Sequence, residues 1–100
     1  MATPEGKIKA WIKQELAAAN VYYAMPMGTG YGKSGVPDFL CCVNGHFLAI
    51  EAKAGKGTTT ALQDREIALI RARNGTALII NEDNLHELTT TIHLLKQRGA

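Results

Sequence analysis

The sequence contains few cysteines, few prolines and no long hydrophobic run. Its two cysteines, Cys41 and Cys42, are adjacent. Neighbouring strand residues point to opposite faces, so this pair cannot readily share a metal or form a normal disulfide. We expect two buried thiols in a reducing compartment. The apolar stretches are shorter than the roughly 20 residues that span a bilayer, and the N-terminus lacks a basic-then-apolar signal pattern. These absences argue against a membrane protein and a secreted one, and we expect a cytoplasmic protein.

Positive charges only slightly outnumber negative charges in the sequence. The formal net charge is +2 and the isoelectric point is about 8.6. This balance permits binding to a polyanion but does not argue for it, since dedicated DNA-binding domains are often more basic. A chain of 100 residues that is 46% hydrophobic has the size and composition of a single domain spanning residues 1–100. Composition alone leaves the function open.

The spacing of apolar residues predicts seven elements in the order α-β-β-β-α-β-α. The predicted helices cover residues 3–20, 60–74 and 84–98, and the predicted strands cover residues 21–25, 37–43, 46–53 and 76–80. We expect an α/β fold with a mixed four-stranded sheet flanked by helices. The two central strands are apolar on both faces, which is typical of strands covered by helices on both sides. The aromatic residues Trp11, Tyr22, Tyr23 and Phe47 are assigned to the core rather than to base stacking.

The most informative feature is a hairpin. Asn44-Gly45 is the strongest short signal for a two-residue turn. Such a turn places Asp38 opposite Glu51, with Cβ atoms roughly 5 Å apart on one face of the sheet. Lys53 follows Glu51 by two residues, so it points to the same face.

Two carboxylates that face each other repel, and no folding rule requires them there. A divalent cation removes this objection, because Mg²⁺ prefers carboxylate oxygens together with water and phosphate oxygens. Asp38, Glu51 and Lys53 therefore predict a metal-dependent phosphodiesterase centre, in which the lysine orients water or offsets charge in the transition state. The plainer alternative is that the three residues are solvated at strand ends, with Lys53 in a surface ion pair.

The same residues resemble a known nuclease signature. Gly35-Val36-Pro37-Asp38 followed by Ile50-Glu51-Ala52-Lys53 is similar to the PD…ExK motif of the PD-(D/E)xK, or restriction-endonuclease-like, nucleases. The element order resembles their αβββαβ core with a further C-terminal helix. The acidic first helix, the glycine-rich loop before Pro37-Asp38 and the later Gln63 resemble the VRR-NUC branch, which has stand-alone phage and bacterial members of this size.

The resemblance implies an activity and a role for each matching residue. The chain would be a Mg²⁺- or Mn²⁺-dependent DNA endonuclease acting on branched DNA such as four-way (Holliday) junctions, often as a homodimer. Asp38 and Glu51 would bind the metal, the Ala52 carbonyl would be a further ligand, and Lys53 would be the catalytic lysine. The alternative function is a non-catalytic DNA-binding or assembly module that retains the same fold.

Two further residues have both an implied role and a structural explanation. The resemblance implies that Gln63 lies near the centre, but Gln63 also completes a capping box with Thr60. It also implies that an acid of the first helix completes the metal site. Glu5 matches that position better than Glu15, although periodicity does not distinguish them, and an acid is ordinary at a helix start.

The glycine-rich loop supplies candidate DNA contacts. Residues 30–35 fit GxGxxG, and their Gly-Lys-Ser resembles a phosphate loop, but both motifs require a helix to follow. Pro37 and a strand follow instead, so we expect no nucleotide cofactor. A basic loop that contacts a DNA backbone through Lys33, Ser34 and backbone amides fits better. Lys56 is a further candidate, for which a solvated loop lysine is the favoured interpretation.

Overall fold

The chain forms the predicted elements in the predicted order. The computed structural model describes residues 3–27 and 32–99, so Gly30 and Tyr31 of the GxGxxG match lie outside the described residues. Each element lies within its predicted range and is shorter by at most two residues at either end. No helix in the described ranges is both long and apolar enough to cross a membrane. The elements are α1 (Pro4–Ala18), β1 (Tyr22–Ala24), β2 (Phe39–Val43), β3 (His46–Ala52), α2 (Ala61–Ala72), β4 (Thr76–Ile80) and α3 (Leu85–Gln97).

The four strands form one mixed sheet in the order β1-β2-β3-β4. The first three strands are antiparallel, and β4 is parallel to β3. A parallel pair needs a crossover, which α2 supplies. Asn44 and Gly45 both have positive φ, 51° and 86°, as the two-residue hairpin turn requires. The hairpin register is the predicted one, with Leu40 opposite Ala49.

The helices cover the two faces of the sheet unequally. α1 and α3 pack on one face over the larger core, whereas α2 packs on the other over Ala49 and Ala77 through Ile67. The larger core contains Ile8, Ile12, Leu16, Val21, Phe39, Cys41, Val43, Leu48, Ile50, Ala52, Ile80, Leu88, Ile92 and Leu95. α2 therefore covers a narrower region of the sheet, along β3 and β4.

This unequal cover corrects two expectations. Cys42 lies opposite both Tyr22 and Phe47 in the sheet, and all three side chains are exposed on the α2 face. The prediction of two buried thiols is wrong for Cys42, and the assignment of Tyr22 and Phe47 to the core is also wrong. The physical reason is that α2 crosses from β3 to β4 and leaves this part of the sheet open. Trp11 and Tyr23 pack against the larger core as predicted.

Candidate active site

Asp38 lies immediately before β2, where the hairpin ladder ends. The last pair is Phe39 with Ile50, so Asp38 is not paired with Glu51 through the backbone as predicted. Instead, Asp38 Oδ2 accepts a hydrogen bond of 2.9 Å from the Ala52 N–H. The carboxylate takes the place of the next backbone acceptor, and this contact fixes it beside the end of β3.

Glu51 is a buried acid with an unsatisfied oxygen. The residue is only 3% exposed, and Oε1 has no hydrogen-bond partner among the described residues. Burial raises the pKa of Glu51 to about 7; the nearby carboxylate of Asp38 acts in the same direction, and Lys53 opposes both. A buried carboxylate of this kind needs a proton or a cation.

Lys53 is close to Glu51 and largely withdrawn from solvent. Its Nζ lies 3.8 Å from Glu51 Oε2, and its side chain is 13% exposed. This exposed fraction argues against a solvated surface ion pair at the strand end. The ammonium instead lies at the edge of the carboxylate pair, on the face that the hairpin register predicts.

Gln63 completes the predicted capping box and also contacts Glu51. Its Oε1 accepts a hydrogen bond from the Thr60 N–H at 2.9 Å, and its own N–H donates to Thr60 Oγ1 at 3.2 Å, which completes the capping box. Its Nε2 donates to Glu51 Oε2 at 3.3 Å. Because the cap holds the amide oxygen at the helix start, the amide nitrogen is left for Glu51.

The first helix brings Glu5, rather than Glu15, towards the carboxylate pair. The charge of Glu5 is one of the influences that raise the pKa of Glu51. Glu15 is about 15 Å further along α1 at 1.5 Å per residue, and it faces α3 beside His93. The structure therefore separates two acids that periodicity alone left equivalent.

Lys9 belongs to the site and was not predicted from the sequence. Its Nζ lies 3.5 Å from Asp38 Oδ1 and 3.7 Å from Glu5 Oε2. The one sequence signal was its position four residues after Glu5, which is typical of an ordinary helical ion pair. Its ammonium bridges the two acids and supplies positive charge where they approach each other.

Gly35 holds the loop before Pro37 against the start of α2. A Cβ atom at Gly35 would lie 2.5 Å from the carbonyl carbon and oxygen of Leu62 and 2.9 Å from the Gln63 nitrogen. Its φ of +84° also favours glycine. The loop can therefore approach the turn that carries Gln63, and sequence reasoning, which took Gly35 only as part of the motif, missed this contact.

The donor set suits a hard divalent cation. Asp38 and Glu51 offer carboxylate oxygens, and the unpartnered Glu51 Oε1 is the atom that a cation would satisfy. Within residues 3–27 and 32–99, no group of three or more histidine, cysteine or acidic residues is arranged to hold a metal. Glu5 pairs with Lys9 instead of joining the two carboxylates. A cation at this pair would complete its shell with water and substrate oxygens, as Mg²⁺ commonly does.

The three candidate DNA-contact residues lie on the loops before β2 and after β3. Lys33 is 65% exposed and pairs with Glu66 of α2, with Nζ 3.4 Å from Oε1. Ser34 is exposed on the loop before β2, and Lys56 is exposed on the loop after β3. Lys33 is thus held at α2, whereas the exposure of Lys56 agrees with a solvated loop lysine.

Comparison with protein-family models, with curated proteins and with solved structures gives no match. The structure nevertheless brings Asp38, Glu51, Lys53 and Gln63 to one place, with Glu5 at its edge. The function of this candidate active site therefore follows from its chemistry and from the resemblance of its motifs to those of PD-(D/E)xK nucleases.

Proposed function

We propose that the protein is a Mg²⁺- or Mn²⁺-dependent endodeoxyribonuclease of the PD-(D/E)xK class, similar to the VRR-NUC branch. The observation that carries the proposal is the buried Glu51, with one oxygen unpartnered, beside a second carboxylate and the ammonium of Lys53. Such an arrangement destabilises a folded protein unless a cation or proton compensates it. A metal-dependent phosphodiesterase uses all three groups, whereas a structural ion pair between Lys53 and Glu51 leaves the unpartnered Oε1 of Glu51 unexplained.

Asp38 and Glu51 would hold the metal through the carboxylate oxygens that accept no hydrogen bond from the described residues. The Ala52 N–H engages Oδ2 of Asp38, and Gln63 engages Oε2 of Glu51. Oδ1 of Asp38 and Oε1 of Glu51 then remain as ligands, once Lys9 withdraws from Oδ1, and the Ala52 carbonyl is a further candidate. When bound, the metal supplies Lewis-acid polarisation of the phosphodiester and lowers the pKa of a bound water.

Lys53 carries the remaining chemistry assigned to this chain. Its ammonium, beside Glu51 and largely buried, orients the attacking water or stabilises negative charge on the phosphate oxygens. A preorganised charge acts more strongly here than in open solvent, because the surrounding dielectric is lower. Gln63 is a positioning residue, since it acts by holding Glu51. Glu5 acts at longer range through its pairing with Lys9.

The substrate and assembly form part of the same proposal. The VRR-NUC resemblance supports branched DNA, such as four-way junctions, as the substrate. Two symmetric cuts across a junction require two active sites, which supports a homodimer, and a small chain buries more apolar surface by pairing. The exposed thiol of Cys42 is suited to a reducing cytoplasm, that of the host if a phage encodes the chain.

The test is cleavage of a labelled four-way junction and of a linear duplex with the same sequence, in Mg²⁺, Mn²⁺ or EDTA. Wild-type protein should cut the junction faster than the duplex, and only with metal. Asp38→Asn and Glu51→Gln should each lower the rate by ~100-fold or more, because each removes a metal ligand. Glu15→Gln, a matched change at the far end of α1, should leave the rate unchanged.

Two other outcomes would change the conclusion. Binding of the junction without cleavage in every metal, unaffected by Asp38→Asn, would favour the non-catalytic DNA-binding or assembly module. Intact DNA together with no binding would remove both functions. Sedimentation of wild-type protein with and without the junction would test the dimer separately.

A further inference from the structure

A pocket separate from the carboxylate pair lies on the same face of the sheet, beside the later turns of α2. It is a pocket of about 410 Å³ lined by Phe47 of β3, by Leu69, Ile70 and Arg73 of α2, and by Lys33, Glu66 and Gly75. Phe47 is 45% exposed and Leu69 is 41% exposed. The pocket therefore presents an aromatic ring and aliphatic side chains to solvent.

One wall of this pocket contains a buried acid with incomplete partners. Glu66 is 6% exposed, and its Oε2 has no hydrogen-bond partner among the described residues. The nearby cations are loosely placed: Lys33 Nζ is 3.4 Å from Oε1, and Arg65 Nη2 is 3.5 Å from Oε2. Both of these side chains are more than half exposed. A buried carboxylate costs stability unless donors satisfy it, and the two exposed cations leave Oε2 of Glu66 without a hydrogen bond.

The charges around the pocket restrict what it can bind. Lys33 and Arg73 line the pocket and Arg65 pairs with Glu66, the one acid of its lining, so the charge around the pocket is positive. A positive rim disfavours a cationic side chain of another protein, and the carboxylate disfavours an anion inside the pocket. A ligand that suits both the positive rim and the carboxylate inside has a flat apolar body with an uncharged N–H donor. It carries its phosphate outside the pocket. An unpaired nucleotide whose base bears an amino group has this composition.

The position of the pocket suits the same DNA strand that would reach the carboxylate pair. Phe47 and Glu51 point to one face of β3 and are four residues apart, so they are separated by about 13 Å along the strand. This distance is within reach of a few nucleotides, since even the stacked strand of a duplex advances roughly 3.4 Å per nucleotide. A strand that follows α2 from the carboxylate pair would therefore bring a base to the pocket.

We propose that this pocket binds one unpaired base of the DNA substrate through an exocyclic amino group, as in adenine, cytosine or guanine. It disfavours thymine, whose imide N–H lies between two carbonyl oxygens that a carboxylate repels. Glu66 accepts the hydrogen bond from the amino group, and Phe47 provides the stacking surface. Lys33 leaves Glu66 to contact a phosphate together with Arg73. The inference rests on the proposed function, since it takes DNA as the ligand, and it names a base preference that the nuclease chemistry does not require.

The test measures binding without cleavage, in EDTA. The probes are fluorescent duplexes with a short single-stranded arm of adenine, of purine that lacks only the amino group of adenine, or of thymine. Wild-type protein should bind the adenine arm about tenfold more tightly than the purine arm in fluorescence anisotropy, because a hydrogen bond to a charged acceptor is lost. The thymine arm should bind about as weakly as the purine arm.

Substitutions in the pocket test whether the preference for the adenine arm over the purine arm arises there. Glu66→Met, which removes the acceptor, should abolish the difference between the adenine and purine arms. Glu66→Gln, which retains a neutral acceptor and the shape of the side chain, should reduce the difference. Glu87→Gln, a matched change of an exposed acid on α3, should preserve it. Phe47→Ala should weaken both arms by a similar factor of about ten, because it removes stacking.

The outcomes separate this inference from the proposed nuclease. Equal wild-type affinity for the adenine and purine arms would overturn the base pocket, and the nuclease would stand if the same preparation cuts a four-way junction with Mn²⁺. A preference that survives Glu66→Met would also overturn it. If no arm binds and no DNA is cut, both proposals fail.

Discussion

Glu51→Gln should make the metal-free protein more stable, although it changes a residue of the candidate active site. Burial, reinforced by Asp38, raises the pKa of Glu51 from 4.5 to about 7. Between these values the folded protein keeps a proton that the unfolded chain releases, so stability falls as the pH rises through this window. At about 1.4 kcal/mol per pKa unit, the cost is about 3 kcal/mol well above pH 7 and about 1 kcal/mol near pH 5.

Urea unfolding in EDTA, followed by the fluorescence of the partly buried Trp11, measures this effect. At about pH 8.5 the variant should exceed wild type by about 3 kcal/mol, and at about pH 5 by no more than about 1 kcal/mol, since glutamine cannot ionise. Glu15→Gln should match wild type at both pH values. A Glu51→Gln protein that is less stable than wild type at both pH values would refute the reasoning. So would a stability difference that does not change with pH.

Two further substitutions test how the site is held together. Lys9→Met should tighten Mn²⁺ binding several-fold in titration calorimetry, because it removes an ammonium that competes for a metal ligand. Lys13→Met, one turn further along α1, should not change the affinity, and equal affinities for both variants would contradict the competition. Gly35→Ala should lower the free energy of unfolding by about 3 kcal/mol, since its Cβ would collide with α2. Gly55→Ala, also at positive φ but with nothing within 4 Å of the added Cβ, should cost only about 1 kcal/mol, and equal losses would show that the collision is unimportant.

The hairpin shows what a sequence pattern can determine. Asn44-Gly45 tolerates the positive φ values of a two-residue turn, and the alternation of strand side chains then gives the face of every neighbour. This reasoning placed Glu51 and Lys53 on the face where the structure has them. It did not show where the ladder ends. The side chain of Asp38 outcompetes a backbone carbonyl for the Ala52 N–H, and no residue pattern encodes that competition.

Contacts between elements that are distant in sequence account for most of what the sequence did not predict. The apolar pattern of β2 and β3 indicated cover on both faces, but the path of α2 leaves Cys42 and Phe47 exposed. Lys9 belongs to the site because α1 passes near Asp38. The local pairing of Lys9 with Glu5 could not reveal this contact. Glu66 did leave a signal, since an acid on the apolar side of α2 is unusual, but its partner Lys33 comes from a distant loop.

Cleavage of an end-labelled four-way junction by wild type and Lys53→Ala tests the central claim most directly. Lys53→Ala keeps both carboxylates and removes the ammonium beside them together with its methylene chain, while Lys13→Ala controls for the loss of a lysine elsewhere on the protein. In Mn²⁺ or Mg²⁺, wild type and Lys13→Ala should cut at similar rates and Lys53→Ala should be slower by ~100-fold or more, with no cutting in EDTA. An intact junction with wild-type protein in both metals would contradict the account, as would Lys53→Ala cutting at the wild-type rate.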